Sequence, residues 1–112
     1  MKLITAIARP DKLADIRDGL EEFGVQGLTV SEASGYGRQK GHKQFYRGAA
    51  YTQDLVPKLR IEVLASAEDA PRICDVLLAR ATTGQPGDGK IWITAVDQII
   101  RVSDRSEGEA AL

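Results

Sequence analysis

A chain of 112 residues, 43% hydrophobic and 28% charged, suffices for one domain with one core, is too short for two, and does not have the composition of a disordered chain. Fifteen basic against sixteen acidic residues leave a formal charge of −1, which argues against a generally basic nucleic-acid binder and against an acidic tail protein. One cysteine, Cys74, and one histidine, His42, exclude an internal disulfide, a cysteine-based zinc site and a multi-histidine metal centre. No apolar run approaches the roughly 20 residues of a membrane span, and Met1-Lys2-Leu3-Ile4-Thr5 turns polar too early for a signal peptide. The expected setting is reducing and cytoplasmic, without membrane insertion.

In chain order, Leu3 to Ala8 is a short apolar run that stops at Arg9-Pro10 and reads as a buried strand. Leu13, Ile16, Leu20 and Phe23 then recur at helical spacing, with Asp11 as the expected cap and Gly24 as the stop. Leu28 to Val30 opens a second strand running toward Gly35. Leu59, Ile61 and Val63 alternate against Arg60 and Glu62 in a third strand with one apolar face. A second helix follows, capped by Ser66 or Asp69, with Pro71 in its first turn. Its inward face carries Ala70, Ile73, Cys74, Leu77 and Ala81, so Cys74 reads as core packing. Ile91 to Val96 makes a fourth strand, Ile99 to Val102 a short last one, and residues 103–112 a mobile, charged tail. Two strand-helix-strand halves imply an α+β, ferredoxin-like double βαβ sandwich with two helices on one face of an antiparallel four-stranded sheet, formed by the whole chain, 1–112, as a single domain.

Two segments exceed this scaffold. Residues 36–55 lack a convincing period and are far longer than an ordinary connection, so they read as a long flexible loop after the second strand. Between Ala33 and Gln53 there is no acidic residue, while Arg38, Lys40, Lys43 and Arg47 give +4 against −5 for the rest of the chain. All three tyrosines, Tyr36, Tyr46 and Tyr51, fall in this loop, and tyrosine suits contact surfaces because it loses little rotamer entropy. The second segment, residues 82–90, holds three glycines and Lys90. Gly84, four residues, Gly89 and Lys90 approximate a phosphate-binding P-loop, but Ile91 replaces the metal-binding Ser or Thr, and the loop leaves a helix to enter a strand, the reverse of a P-loop. A P-loop NTPase is therefore excluded. The chemistry of glycine amides and a lysine converging on an anion is retained, against the alternative of a plain flexible turn.

Tyr46-Arg-Gly-Ala-Ala-Tyr51, Thr83-Gly-Gln-Pro-Gly-Asp-Gly-Lys-Ile-Trp92 and Gly35-Tyr-Gly-Arg-Gln-Lys-Gly41 together resemble the motifs of the PII signal-transduction proteins, trimeric nitrogen sensors, over essentially the whole chain. The resemblance implies a homotrimer with a large T-type loop at about 36–55, a phosphate-binding B-type loop at about 82–90 and ATP or ADP in the clefts between subunits. It implies adenine contacts from Thr29 and the main chain at Leu64, an approach from Gly37 and Arg38, and phosphate contacts from Gly87, Asp88, Gly89, Lys90 and Arg101. It further implies that 2-oxoglutarate binds only beside Mg-ATP, with Gln39 completing the coordination of Mg²⁺. Lys40, Gly41 and Gly87 would adjoin that ligand, and Lys58 would pair with its distal carboxylate. The loop then changes conformation and controls target proteins such as ammonium channels and nitrogen-metabolism enzymes or regulators, with Arg47 at the tip entering a channel. Association with a membrane would run through such a channel. Tyr51 matches the tyrosine that a separate nucleotidyltransferase modifies in some relatives.

The chain departs from the family pattern at Gln85-Pro86, where a basic or polar residue and an aliphatic one are common, and at Ser103, which replaces a second arginine. Both departures lead us to expect weaker nucleotide or 2-oxoglutarate binding than in typical relatives. Ala49 offers no hydroxyl for phosphorylation, and Ala50 replaces a common acidic neighbour of Tyr51. The alternative reading is a nucleic-acid module that uses the +4 aromatic loop for backbone contact and stacking. No histidine near a carboxylate pair, activated nucleophile or water-positioning residue marks an enzyme, and the expectation is a non-catalytic protein.

Overall fold

β1 (Lys2–Ala8) is buried along one side through Ile4, Ala6 and Ala8, the alternation that a strand covered by helices requires. The structure is a computed structural model; it describes residues 1–37 and 55–112 in full and, within 38–54, the backbone of two short strands. After β1 the chain makes a 3-10 turn at Pro10–Lys12 and enters α1 (Leu13–Phe23). Asp11 lies inside that turn and its side chain caps nothing, because proline at the first position sets the entry geometry instead. Gly24 closes α1 in the left-handed conformation, φ 108°, donating to the carbonyls of Leu20 and Glu21.

β2 (Thr29–Gly35) leads to β3 (Lys43–Tyr46) and β4 (Ala49–Thr52), which pair antiparallel with Phe45 opposite Ala50. The expected unstructured loop thus contains a two-stranded ribbon, in keeping with the strand preference of its aromatic and β-branched residues. β5 (Val56–Ala65) extends three residues before the alternating stretch read from the sequence. α2 (Ala70–Ala81) follows, and β6 (Lys90–Ala95) closes the sheet. Ser66, not Asp69, serves the start of α2: its hydroxyl accepts from the Asp69 amide and its carbonyl from the Ala70 amide.

The sheet order is β2-β5-β1-β6, every neighbouring pair antiparallel. With two helices this is an α+β fold of strand-helix-strand halves. Leu59, Ile61 and Val63 meet Ile4, Ala6, Ile16, Leu20, Ile73 and Leu77 in one core between the helices and one sheet face. Cys74 packs against the rim of this core, as expected, and burial pushes its thiol pKa up. The helices approach closely at Gly19, where a Cβ would lie 2.9 Å from Val76 Cγ1. Among the described residues no helix is long and apolar enough to cross a membrane.

The expected last strand and mobile tail are replaced by one closed turn. Ile100 bridges Glu107, the Arg101 amide donates to the Ser106 carbonyl at 2.9 Å, and a 3-10 helix spans Gly108–Ala111. Arg105, at φ 61°, reverses the chain, and the Arg101 guanidinium donates to Asp104 and to the carbonyls of Ala110 and Leu112. One half-exposed cation satisfying terminal carbonyls orders a segment that composition alone marks as loose.

Candidate functional site

The open face of the sheet, opposite the helices, holds the chemistry. Cross-strand pairing places Ala33 beside Lys58 and Thr29 beside Glu62, while Thr5 sits opposite both Glu62 and Trp92. Alternation by itself puts Lys58 on a solvent face, yet its residue exposure is 8%, because the loop between α2 and β6 folds over it. Lys58 Nζ donates to the Gly87 carbonyl at 2.5 Å. Burial lowers its pKa, Arg9 lowers it further, and Asp88 opposes both.

That loop is fastened by a second cation. Arg9 Nε donates to Asp88 Oδ1 at 2.9 Å, and Arg9 Nη2 to the Pro86 carbonyl at 2.8 Å. The Asp88 carboxylate also accepts from the Thr83 hydroxyl at 2.5 Å and from the amides of Thr83 and Gly84, each at 2.8 Å. These donors, the Thr83 hydroxyl first and Arg9 next, hold its carboxyl well below the usual carboxylate range. Gly89 has φ 99°, and a Cβ there would lie 1.7 Å from the Ile7 carbonyl oxygen, so only glycine lets the loop run against the end of β1.

Gly37, Lys58, Gly87, Asp88, Gly89 and Lys90 line one groove of about 530 Å³, with Tyr36 and Trp92 among its walls. Arg60 stands over the Trp92 ring, 5.8 Å from its centre, and pairs with Glu62 at 3.3 Å. None of these fastenings uses the N–H groups of Gly87, Asp88 or Gly89, which leaves amides to meet an anion between two lysines. Asp88, by contrast, is committed to the loop's own shape through its carboxylate.

Thr29 and Leu64 line a different groove of about 680 Å³, together with Glu62, Ser66 and the C-terminal Ala111 and Leu112. Arg101 lines neither groove; its guanidinium is directed to Asp104 and the last carbonyls. Arg38, Gln39, Lys40, Gly41 and Arg47 lie outside the described residues, and Tyr51 lies in β4 with its side chain outside them. Among the described residues no group of three or more His, Cys, Asp or Glu is placed to hold a metal ion.

Sequence reasoning missed Arg9 and Thr83. Arg9-Pro10 marks only the end of a strand, and nothing local ties it to a loop 77 to 79 positions away. Thr83 had a readable signal, since a hydroxyl five residues before an aspartate across a glycine-rich turn is placed for local side-chain bonding.

A family model described as nitrogen regulatory protein P-II matches residues 1–106. Nitrogen regulatory protein GlnK of Escherichia coli strain K12 is 44% identical over 112 residues, covering all of both chains. Nitrogen regulatory protein P-II of Rhizobium meliloti strain 1021 is likewise 44% identical, and that of Pasteurella multocida strain Pm70 is 42% identical, each over the full length of both chains. A match across nearly the whole chain, with full-length relatives well above 30% identity, makes this chain a member of the nitrogen regulatory protein P-II family.

Proposed function

We propose that the chain is a non-catalytic signal-transduction regulator of nitrogen metabolism that binds ATP or ADP and, beside Mg-ATP, 2-oxoglutarate. The observation that carries this reading is the division of the resemblance-derived nucleotide residues between two separate grooves. On β5 the lining residues of the two grooves that stand nearest each other, Lys58 and Glu62, are four residues apart, roughly 13 Å, and Lys58 and Leu64 are six apart, roughly 20 Å. In the proposed arrangement a nucleotide draws its phosphate side from one copy and its adenine side from another, in the cleft between subunits of the homotrimer that the family resemblance implies.

In this arrangement the amides of Gly87, Asp88 and Gly89, with Lys90, hold the phosphates, while Thr29 and the main chain at Leu64 hold the base. Lys58 exchanges its carbonyl partner for the distal carboxylate of 2-oxoglutarate. With Asp88 engaged and no described metal cluster, Mg²⁺ would be held by Gln39 and by oxygens of the phosphates and the keto acid. The ion neutralises phosphate charge. Gripping the residues around Gly37 to Gly41 shifts the population of large-loop conformations, because the ligand has different affinities for them. The loop, with Arg47 and Tyr51, then meets or releases target proteins such as an ammonium transporter or nitrogen-metabolism enzymes in the cytoplasm, and a separate nucleotidyltransferase acts on Tyr51.

Calorimetric titration of 2-oxoglutarate with and without Mg-ATP, alongside sedimentation of the protein, tests the reading. Nucleotide-dependent binding by a trimer is expected. Binding of 2-oxoglutarate without nucleotide, or a monomer that takes up ATP fully, would overturn it.

A further inference from the structure

We infer that Arg9 is the positioning residue of the phosphate cradle: it lies outside the groove and holds the loop of residues 83–90 in the shape that presents its amides. This rests on the reading of that loop as a phosphate site. The loop has three fixed points in sequence, the Pro86 carbonyl, the Gly87 carbonyl and the Asp88 carboxylate. Arg9 supplies two of them from one side chain, and Lys58 supplies the third. When 2-oxoglutarate recruits Lys58, as proposed, the third point is surrendered, and of these side-chain holds on Pro86, Gly87 and Asp88 those of Arg9 remain.

Geometry explains why the residue is an arginine. Nε and Nη2 of one guanidinium diverge in a rigid plane, which lets them reach Asp88 Oδ1 and the Pro86 carbonyl together, at 2.9 and 2.8 Å. An ammonium is a single point charge and would satisfy the carboxylate without bridging to the carbonyl. Pro86 completes the device. It has a fixed φ and no N–H, so its remaining polar group is the carbonyl that Arg9 takes. The loop is thereby shaped before an anion arrives, and binding loses less ordering entropy. Gln85 and Ser103 remove positive charge from the region by comparison with typical relatives, and the preset loop works in the opposite direction.

The test compares Arg9→Met and Arg9→Lys with the wild-type protein. In the ligand-free state, NMR-detected exchange of the Thr83 and Gly84 amides, whose acceptor is Asp88, should be faster in Arg9→Met, with the β5 amides unchanged as a control on folding. By calorimetry, ATP should bind Arg9→Met about tenfold more weakly, the size expected for losing one well-formed charged contact. Arg9→Lys should recover only part of that loss. Wild-type affinity in Arg9→Lys would show that charge alone suffices and overturn the two-point hold, and unchanged amide exchange in Arg9→Met would overturn the clamp itself. If the wild-type protein takes no ATP while Arg9→Met still speeds exchange, the functional reading falls and the clamp stands.

Discussion

The ammonium of Lys58 donates to the carbonyl of Gly87 at 2.5 Å, so a residue near the start of β5 holds down the loop that enters the last strand of the sheet. The contact buries a cation beneath a glycine-rich loop and joins the two parts of the chain in which the proposed 2-oxoglutarate site would form. Lys58→Met keeps the length of the side chain and removes the donor. It should cost about 1 kcal/mol of stability through the lost hydrogen bond. Under the proposed function it should also weaken 2-oxoglutarate binding at least tenfold, to be read by calorimetry beside Mg-ATP.

The same lysine carries a pH dependence. Burial, reinforced by Arg9, keeps its folded pKa below 10.5, so the folded protein releases this proton before the unfolded chain does. Between the folded value and 10.5 the unfolded state binds more protons, and the stability contribution rises with pH. It is complete above 10.5 and lost as pH falls through the folded value. Thermal unfolding of wild-type protein and Lys58→Met should therefore diverge in favour of the wild type as pH approaches 10.5.

Asp88 carries a stability term at the acid end. Its folded pKa is depressed, first by the Thr83 hydroxyl and then by Arg9, so its contribution is present above 3.8 and is lost only as pH falls through a value well below that. Asp88→Asn removes the negative charge that pairs with Arg9 and turns one of the two oxygens that accept from Arg9, the Thr83 hydroxyl and the amides of Thr83 and Gly84 into a donor. The gap in melting temperature between wild type and Asp88→Asn should hold steady from neutral pH to about pH 4 and close only in stronger acid.

Two glycines of one loop should respond differently to the same substitution. Gly84→Ala meets open space and only the strain of φ 86°, a loss of about 1 kcal/mol. Gly89→Ala adds to a similar strain a Cβ placed on the Ile7 carbonyl oxygen, and should lose about 3 kcal/mol or more because β1 or the loop must move. Denaturant unfolding of both variants measures the difference.

Trp92 is the only tryptophan in the sequence and a wall of the groove that Lys58 and Lys90 line, 40% exposed beneath the Arg60 guanidinium. Its emission should change on titration with ATP. Arg60→Ala should shift the free-state emission to the red and remove about 0.5–1 kcal/mol of cation–π stabilisation. An emission spectrum indifferent to Arg60→Ala would show that the guanidinium does not rest on the ring in solution.

Much of the architecture was legible because it depends on periodicity. Leu13, Ile16, Leu20 and Phe23 mark α1 whatever surrounds them, and Leu59, Ile61 and Val63 mark the core face of β5. Local competition was harder to read. Asp11 looks like a cap but lies in a turn set by Pro10, and Ser66 is chosen over Asp69 by backbone geometry that composition does not encode. The C-terminal segment looked loose because its order comes from Arg101 binding carbonyls nine and eleven residues ahead.

By itself the sequence determined the class of fold, the order of the two helices and the four strands of the main sheet, the glycine-rich loop and the family, since these follow from short-range patterns and motifs. Only the tertiary structure decided what the charged side chains do. Strand alternation sends Lys58 to solvent and chain distance separates Arg9 from Asp88, yet the pairing of β1 with β5 and the return of the loop before β6 bring Lys58 and Arg9 within hydrogen-bonding reach of that one loop. A charge is committed by its neighbours in space, and those neighbours arrive from strands and loops far apart along the chain.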